Sequence, residues 1–142
     1  EDHYAAPGEI AYINGCGGEF GRIALLVNID GVGLRNSPAT LAFFNCDDKW
    51  AADVRALMAG KSRLEEMQPL PEGDHSIFAM QGVACVAVTS SGIHGLVTDV
   101  LHTPNDTLEL IESEQIEAAV EFLESVLEQI GLPTVQVKSF SE

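Results

Sequence analysis

Three short apolar runs constrain this chain more than anything else in it. Residues 22–30 (RIALLVNID), 41–46 (LAFFNC) and 83–91 (VACVAVTSS) have the length of strands, and no polar–apolar alternation breaks them. A run of that kind reads as a strand covered on both faces, as in the middle of a sheet with helices on either side. The stretches between them carry helix signals. Asp47 and Asp48 suit the N-cap of a helix running to about Ala59 and closed by Gly60. Asp74 or Ser76 suits the cap of a short helix to Met80, ended by Gly82. Residues 9–14 read as the end of a helix stopped by Gly15, Gly17 and Gly18. Strands alternating with helices predict one α/β domain over residues 1–142, a layered mixed or parallel sheet flanked by helices.

Two stretches read as loops. Residues 61–73 are polar and hold Pro69 and Pro71. Residues 92–112 hold His94, His102 and Pro104, and they exceed the roughly 12–15 residues of an idle connection, so they read as a functional loop. The last helix is the clearest pattern. Ile116, Val120, Leu123, Leu127 and Ile130 share one stripe, while Glu114, Glu117, Glu121, Glu124 and Glu128 lie off it. Ser113 suits its N-cap, and Gly131 with Pro133 suits its stop. The tail, 134–142, alternates as a last strand would, or frays.

Charge narrows the function. Seven basic and 22 acidic residues give a formal net charge of −15. Such a chain cannot line a phosphate-neutralising surface, which argues against nucleic acid and against an anionic membrane. It suits cations, either metal ions or free amino groups. No apolar run reaches the roughly 18 residues of a spanning helix. Cys16, Cys46 and Cys85 are too far apart for a thiolate zinc pattern and read as small apolar side chains, with one disulfide plus a free thiol left open. The chain opens on Glu1 rather than Met, as a processed or partial chain does.

The candidate chemistry is carboxylate and imidazole. Asp30 closes the first apolar run, Asp74-His75 precede the short helix, and His102 lies in the long loop with Asp106 after it. Glu1-Asp2-His3 form a further cluster, and His3 and His94 read as surface residues. Carboxylate and imidazole are the donors zinc takes where no thiolate is offered. Polar residues just after such strands sit at the carboxyl edge of the sheet, where α/β proteins place their sites. Gly31-Val32-Gly33 begins like a dinucleotide fingerprint, but Asn36 stands where its third glycine belongs and Pro38 follows. Ser90 and Ser91 lack the G-x-S-x-G of a nucleophile elbow.

Together the segments NIDGVG, GDHSIFAMQGVACVAV and LHTPNDTLELIESEQIEAAVEFLESVL resemble, in order and spacing, the C-terminal half of the M28 family of zinc aminopeptidases. The match covers about residues 22–130, and the opening EDHYAAPGEIAY resembles the family's paired-acid segment more loosely. The resemblance implies a metal-dependent peptidase with two zinc ions, acting on a peptide substrate with a free N-terminus. It implies Asp30 as a ligand of one zinc and His102 as a ligand of the other, Asp2 as a further ligand and Glu1 as general base. It implies that Asp74, His75 and Phe78 support the site, and spacing suggests that Asp106 orients His102. The family's upstream His-x-Asp segment and bridging Asp have no counterpart in these residues. The chain is thus expected to hold at most one weak metal and to be inactive alone. Its sheet is expected to show an open edge or apolar face, covered by self-association or by a missing N-terminal segment. The alternatives are a non-catalytic module of the same fold and a single-zinc, glutaminyl cyclase-like acyltransferase.

Overall fold

Asp47 starts its helix as its sequence position demands. Its carboxylate accepts the backbone N–H of Trp50 at 3.0 Å, which satisfies one of the free donors of the first turn. In the computed structural model, which describes residues 7–129, this helix is α2, Asp48–Met58. The other helices are α1 (Pro7–Gly15), α3 (His75–Met80), α4 (Ile93–Asp99) and α5 (Ser113–Gln129). The strands are β1 (Leu26–Ile29), β2 (Ala39–Phe44), β3 (Leu64–Glu66) and β4 (Cys85–Ser90), in the spatial order β1-β4-β2-β3. β1 runs parallel to β4 and β2 parallel to β3, while β2 and β4 are antiparallel. The expected mixed sheet flanked by helices is what forms. Glu1, Asp2, His3 and the alternating tail lie outside the described residues, as do Ile130 and the Gly131–Pro133 stop.

Strand alternation sorts the side chains into two faces. One face carries Val27, Leu41, Val86 and Val88, which form the main core with Val54 and Met58 of α2 and with Ala119, Phe122, Leu123 and Val126 of α5. The other face carries Asn28, Phe44 and Cys85. His75 of α3 lies against it, its ring 4.6 Å from that of Phe44. Burial pushes the Cys85 thiol up to about 11, and the neighbouring Cys46 adds to the shift. Cys16, Cys46 and Cys85 are all free thiols. No described helix is long and apolar enough to cross a membrane.

Five expectations need correction. The first apolar run forms only the four-residue β1, which sits at the edge of the sheet with Ile29 58% exposed. The middle of the sheet belongs to β2 and β4, whose side chains are the more deeply buried. The 61–73 stretch contains β3, whose three residues are too few to show a period. The 92–112 stretch is not a long loop. It contains α4 and a 3-10 turn, Leu108–Leu110. In α5 the buried stripe is Gln115, Ala119, Phe122, Leu123 and Val126, so of the expected residues Leu123 is buried while Ile116, Val120 and Leu127 are exposed. Finally, neither expected cap forms. Ser113 is the first helical residue and its hydroxyl donates to Glu114. Asp74 makes no capping bond, and Ser76 instead donates its hydroxyl to the Gly73 carbonyl at 2.7 Å.

Candidate functional site at the end of strand β1

Asp30 follows β1 directly. Its backbone N–H donates to the Val88 carbonyl at 3.0 Å, so the strand pairing fixes the residue at the carboxyl end of β1, with its side chain exposed. The chain then turns sharply. Gly31 and Gly33 have φ values of 66° and 98°, in the left-handed region that only glycine adopts at little cost. At Gly33 an added Cβ would lie 2.6 Å from Ile116 Cγ1. Ser90, the last residue of β4, clamps this turn. Its hydroxyl donates to the Gly31 carbonyl at 2.6 Å and accepts the Leu34 N–H at 3.2 Å. Ser37 and Ser91 share a hydroxyl bond of 2.9 Å, and the Gly92 N–H donates to Ser37 at 2.8 Å. The two serines that lack a nucleophile motif thus fasten the turn that presents Asp30.

His102 lies two residues past Val100, the C-cap of α4, exposed and with φ at 61°. Histidine enters this left-handed region more readily than most residues, but it needs a turn to hold it there. Thr103 supplies it. Its N–H and its hydroxyl both donate to the Val100 carbonyl, at 3.0 and 2.6 Å, and the hydroxyl accepts the Asn105 N–H. Both flanks of His102 reach the turn after Asp30. Upstream, Ile93 and Leu96 of α4 lie over Gly31. Downstream, Leu34 and Ile111 form an antiparallel bridge. The Arg35 and Glu112 N–H groups donate to Leu110 and Gly33, and the Arg35 guanidinium donates to the carbonyls of Glu109 and Ile111. Glu112 is drawn below the ordinary carboxylate range, first by the Asn36 N–H and then by the Gln115 amide.

The fold therefore brings the segments carrying Asp30 and His102 together, while the two side chains share no hydrogen bond. The Thr89 hydroxyl, buried beside Gly31, has no partner. Asp106 has no bond to His102, and its N–H closes a turn on the Thr103 carbonyl. Asp74 is exposed. His75 is 2% exposed and held within the fold, Nε2 donating to the Leu70 carbonyl at 3.0 Å and Nδ1 facing the Asn28 amide at 3.5 Å. Phe78 packs between Tyr12 of α1 and Phe20, with ring centroids 5.5 and 6.3 Å away. Among the described residues no three His, Cys, Asp or Glu side chains converge as a metal site. Asp30 and His102 offer donors of the kind zinc takes, but a catalytic zinc has three protein ligands. The described residues do not complete such a site. What the sequence hid was the fastening set of Ser37, Ser90, Ser91 and Arg35, residue types too common to stand out before their partners are known.

Two solved structures share the fold. The aminopeptidase from Aneurinibacillus sp. strain AM-1 superposes with a TM-score of 0.65 at 22% identity, over 87% of this chain and 30% of its own. The Legionella pneumophila LapA aminopeptidase superposes with a TM-score of 0.64 at 14% identity, over 87% of this chain and 35% of its own. The chain thus spans about a third of the length of each. No family model matches it, and no curated protein matches it in sequence.

Proposed function

We propose that this chain is the C-terminal portion of a zinc-dependent aminopeptidase domain, of the kind the M28 resemblance implies. The observation that carries the reading is the fastening of the His102 segment onto the turn after Asp30, within a fold shared with two aminopeptidases. In this reading Asp30 and His102 are two ligands at one rim of the sheet. The remaining donors come from outside the described residues, Asp2 among them. Zinc held by Asp30, by His102 and by these further donors would supply Lewis acidity toward a carbonyl and a bound water. Glu1 would serve as general base, taking a proton from the attacking water and passing it to the leaving amine. The turn at Thr103 fixes the backbone of His102, and the exposed imidazole is open to a metal ion. The excess of carboxylates favours a substrate that carries a free α-ammonium.

Calorimetric titration of the purified chain with Zn²⁺ tests the proposal. One weak site is expected, weakened at least about tenfold by Asp30→Asn or by His102→Ala, whichever removes a ligand of the ion that is held. Uptake that is absent, or unchanged in both variants, overturns the assignment of these ligands. Any turnover of an aminoacyl p-nitroanilide with Zn²⁺ present should vanish in Glu1→Gln.

A further inference from the structure

Met67 stands just past β3 and is joined to β2 twice. Its backbone N–H donates to the Leu41 carbonyl at 2.9 Å, and its sulfur accepts the Thr40 hydroxyl at 3.0 Å. A thioether is a weak acceptor, yet this one holds the hydroxyl of a residue that is 2% exposed. The other partner of that hydroxyl, the Thr89 carbonyl, is 3.4 Å away. Three residues on, the Leu70 carbonyl accepts Nε2–H of the buried His75. Residues 67–73 belong to no helix or strand. This strap from β3 to α3 is thus fastened at Met67 and at Leu70, and its end at Gly73 accepts from Ser76.

The chain has three methionines. Met80 is 79% exposed and Met58 is 8% exposed, in the core. Met67 is half-buried, with Gln68 and Pro69 exposed beside it. Thioether oxidation converts an apolar side chain into a polar one, and it needs access to the oxidant. Met67 and Met80 offer that access. Among the described residues, only the Met67 sulfur also carries a hydrogen bond of the fold.

We propose that Met67 is a reversible oxidation site, at which a hydroperoxide turns the thioether that fastens the 67–73 strap into a sulfoxide that releases it. The sulfur attacks the outer peroxide oxygen with a lone pair. An S–O bond forms and the O–O bond breaks. The proton on the transferred oxygen passes to the departing one, which leaves as water or an alcohol. Sulfur loses two electrons and the peroxide gains them. The sulfoxide cannot keep the old bond, because its electron-poor sulfur no longer accepts. A new oxygen facing Thr40 would itself need about 2.7 Å to the hydroxyl. A sulfur only 3.0 Å from that hydroxyl leaves no room for it. Met67 therefore moves outward, the Thr40 hydroxyl turns to the Thr89 carbonyl, and Leu70 alone ties the strap to His75. The contact lies two strands from β1 and is made by residues of this chain alone. The inference does not rest on the peptidase reading.

The test treats the purified chain with dilute hydrogen peroxide and reads sulfoxide at each methionine by peptide mass spectrometry. Met67 should convert at least about tenfold faster than Met58. Amide hydrogen exchange across residues 67–73 should then rise at least about tenfold. It should return to its starting rate after treatment with the two epimer-specific methionine sulfoxide reductases and a dithiol. Met67→Leu, a swap of similar volume, should show no rise with peroxide. That variant keeps Cys16, Cys46, Cys85, Met58 and Met80, so a rise in it would place the effect elsewhere. Thr40→Val removes the hydroxyl, so exchange in the strap should start faster and gain less from peroxide. The proposal is overturned if Met67 stays reduced while Met80 converts, or if Met67 sulfoxide leaves the exchange unchanged. It is also overturned if either variant responds as fully as the parent chain.

Discussion

Several single residues in this chain carry bonds that their type alone does not advertise. Glu112 holds the Asn36 N–H and the Gln115 amide, and Glu66 pairs with Arg55 through two bonds of 2.7 Å. Arg55 also lies over the ring of Phe43, so this exposed pair is braced by an aromatic face. Both carboxylates lie below their ordinary value of 4.5, Glu112 chiefly through the Asn36 N–H and Glu66 chiefly through Arg55. A depressed folded value gives stability that is present above the unfolded one and lost as pH falls through the folded one. The urea midpoint should therefore drop below about pH 4.5, and Glu112→Gln or Glu66→Gln should flatten that limb. The alkaline limb has the opposite origin. Burial raises the Cys85 thiol to about 11, so the unfolded chain ionises first and stability declines as pH rises from about 9 toward that value. Cys85→Ala should flatten this limb. An acid limb untouched in both glutamate variants would refute the account.

At the scale of elements, α5 shows what a sequence period can and cannot say. The helix and its glutamate-rich outer side were legible in residues 113–129, and so were the extents of α2 and β4. The direction of the core was not. Of the expected stripe only Leu123 is buried, beside Gln115, Ala119, Phe122 and Val126, while Ile116, Val120 and Leu127 stay exposed. A hydrophobic period locates a face, but which of two adjacent faces meets the sheet depends on partners distant in sequence. The same reason hid the edge position of β1, since a run of apolar residues does not say how many neighbours it has. Val126→Ala should cost about 1–3 kcal/mol and Val120→Ala less than about 0.5 kcal/mol in urea unfolding, because only the first leaves a cavity. Equal costs would show that the outer stripe is buried in solution.

The candidate site was legible in the same uneven way. Asp30 could be placed at a strand end from its run of apolar neighbours, but the tie between its turn and residues 109–112 spans more than seventy positions and leaves no local mark. At the scale of the whole molecule, every contact of β1 with the sheet is of this long-range kind. Among the described residues its one neighbour is β4, more than fifty residues away, and no strand pairs with its other flank. A strand held by one neighbour is expected to open more readily than the two central strands. Amide hydrogen exchange should find Ala87, which faces β2, protected to nearly the full unfolding free energy, with Asn28, which faces β4 from the edge, exchanging orders of magnitude faster through local opening. The ledge that carries the metal-ligand candidate thus owes its order, among the described residues, to hydrogen bonds on one side and to the serine clamp at its end.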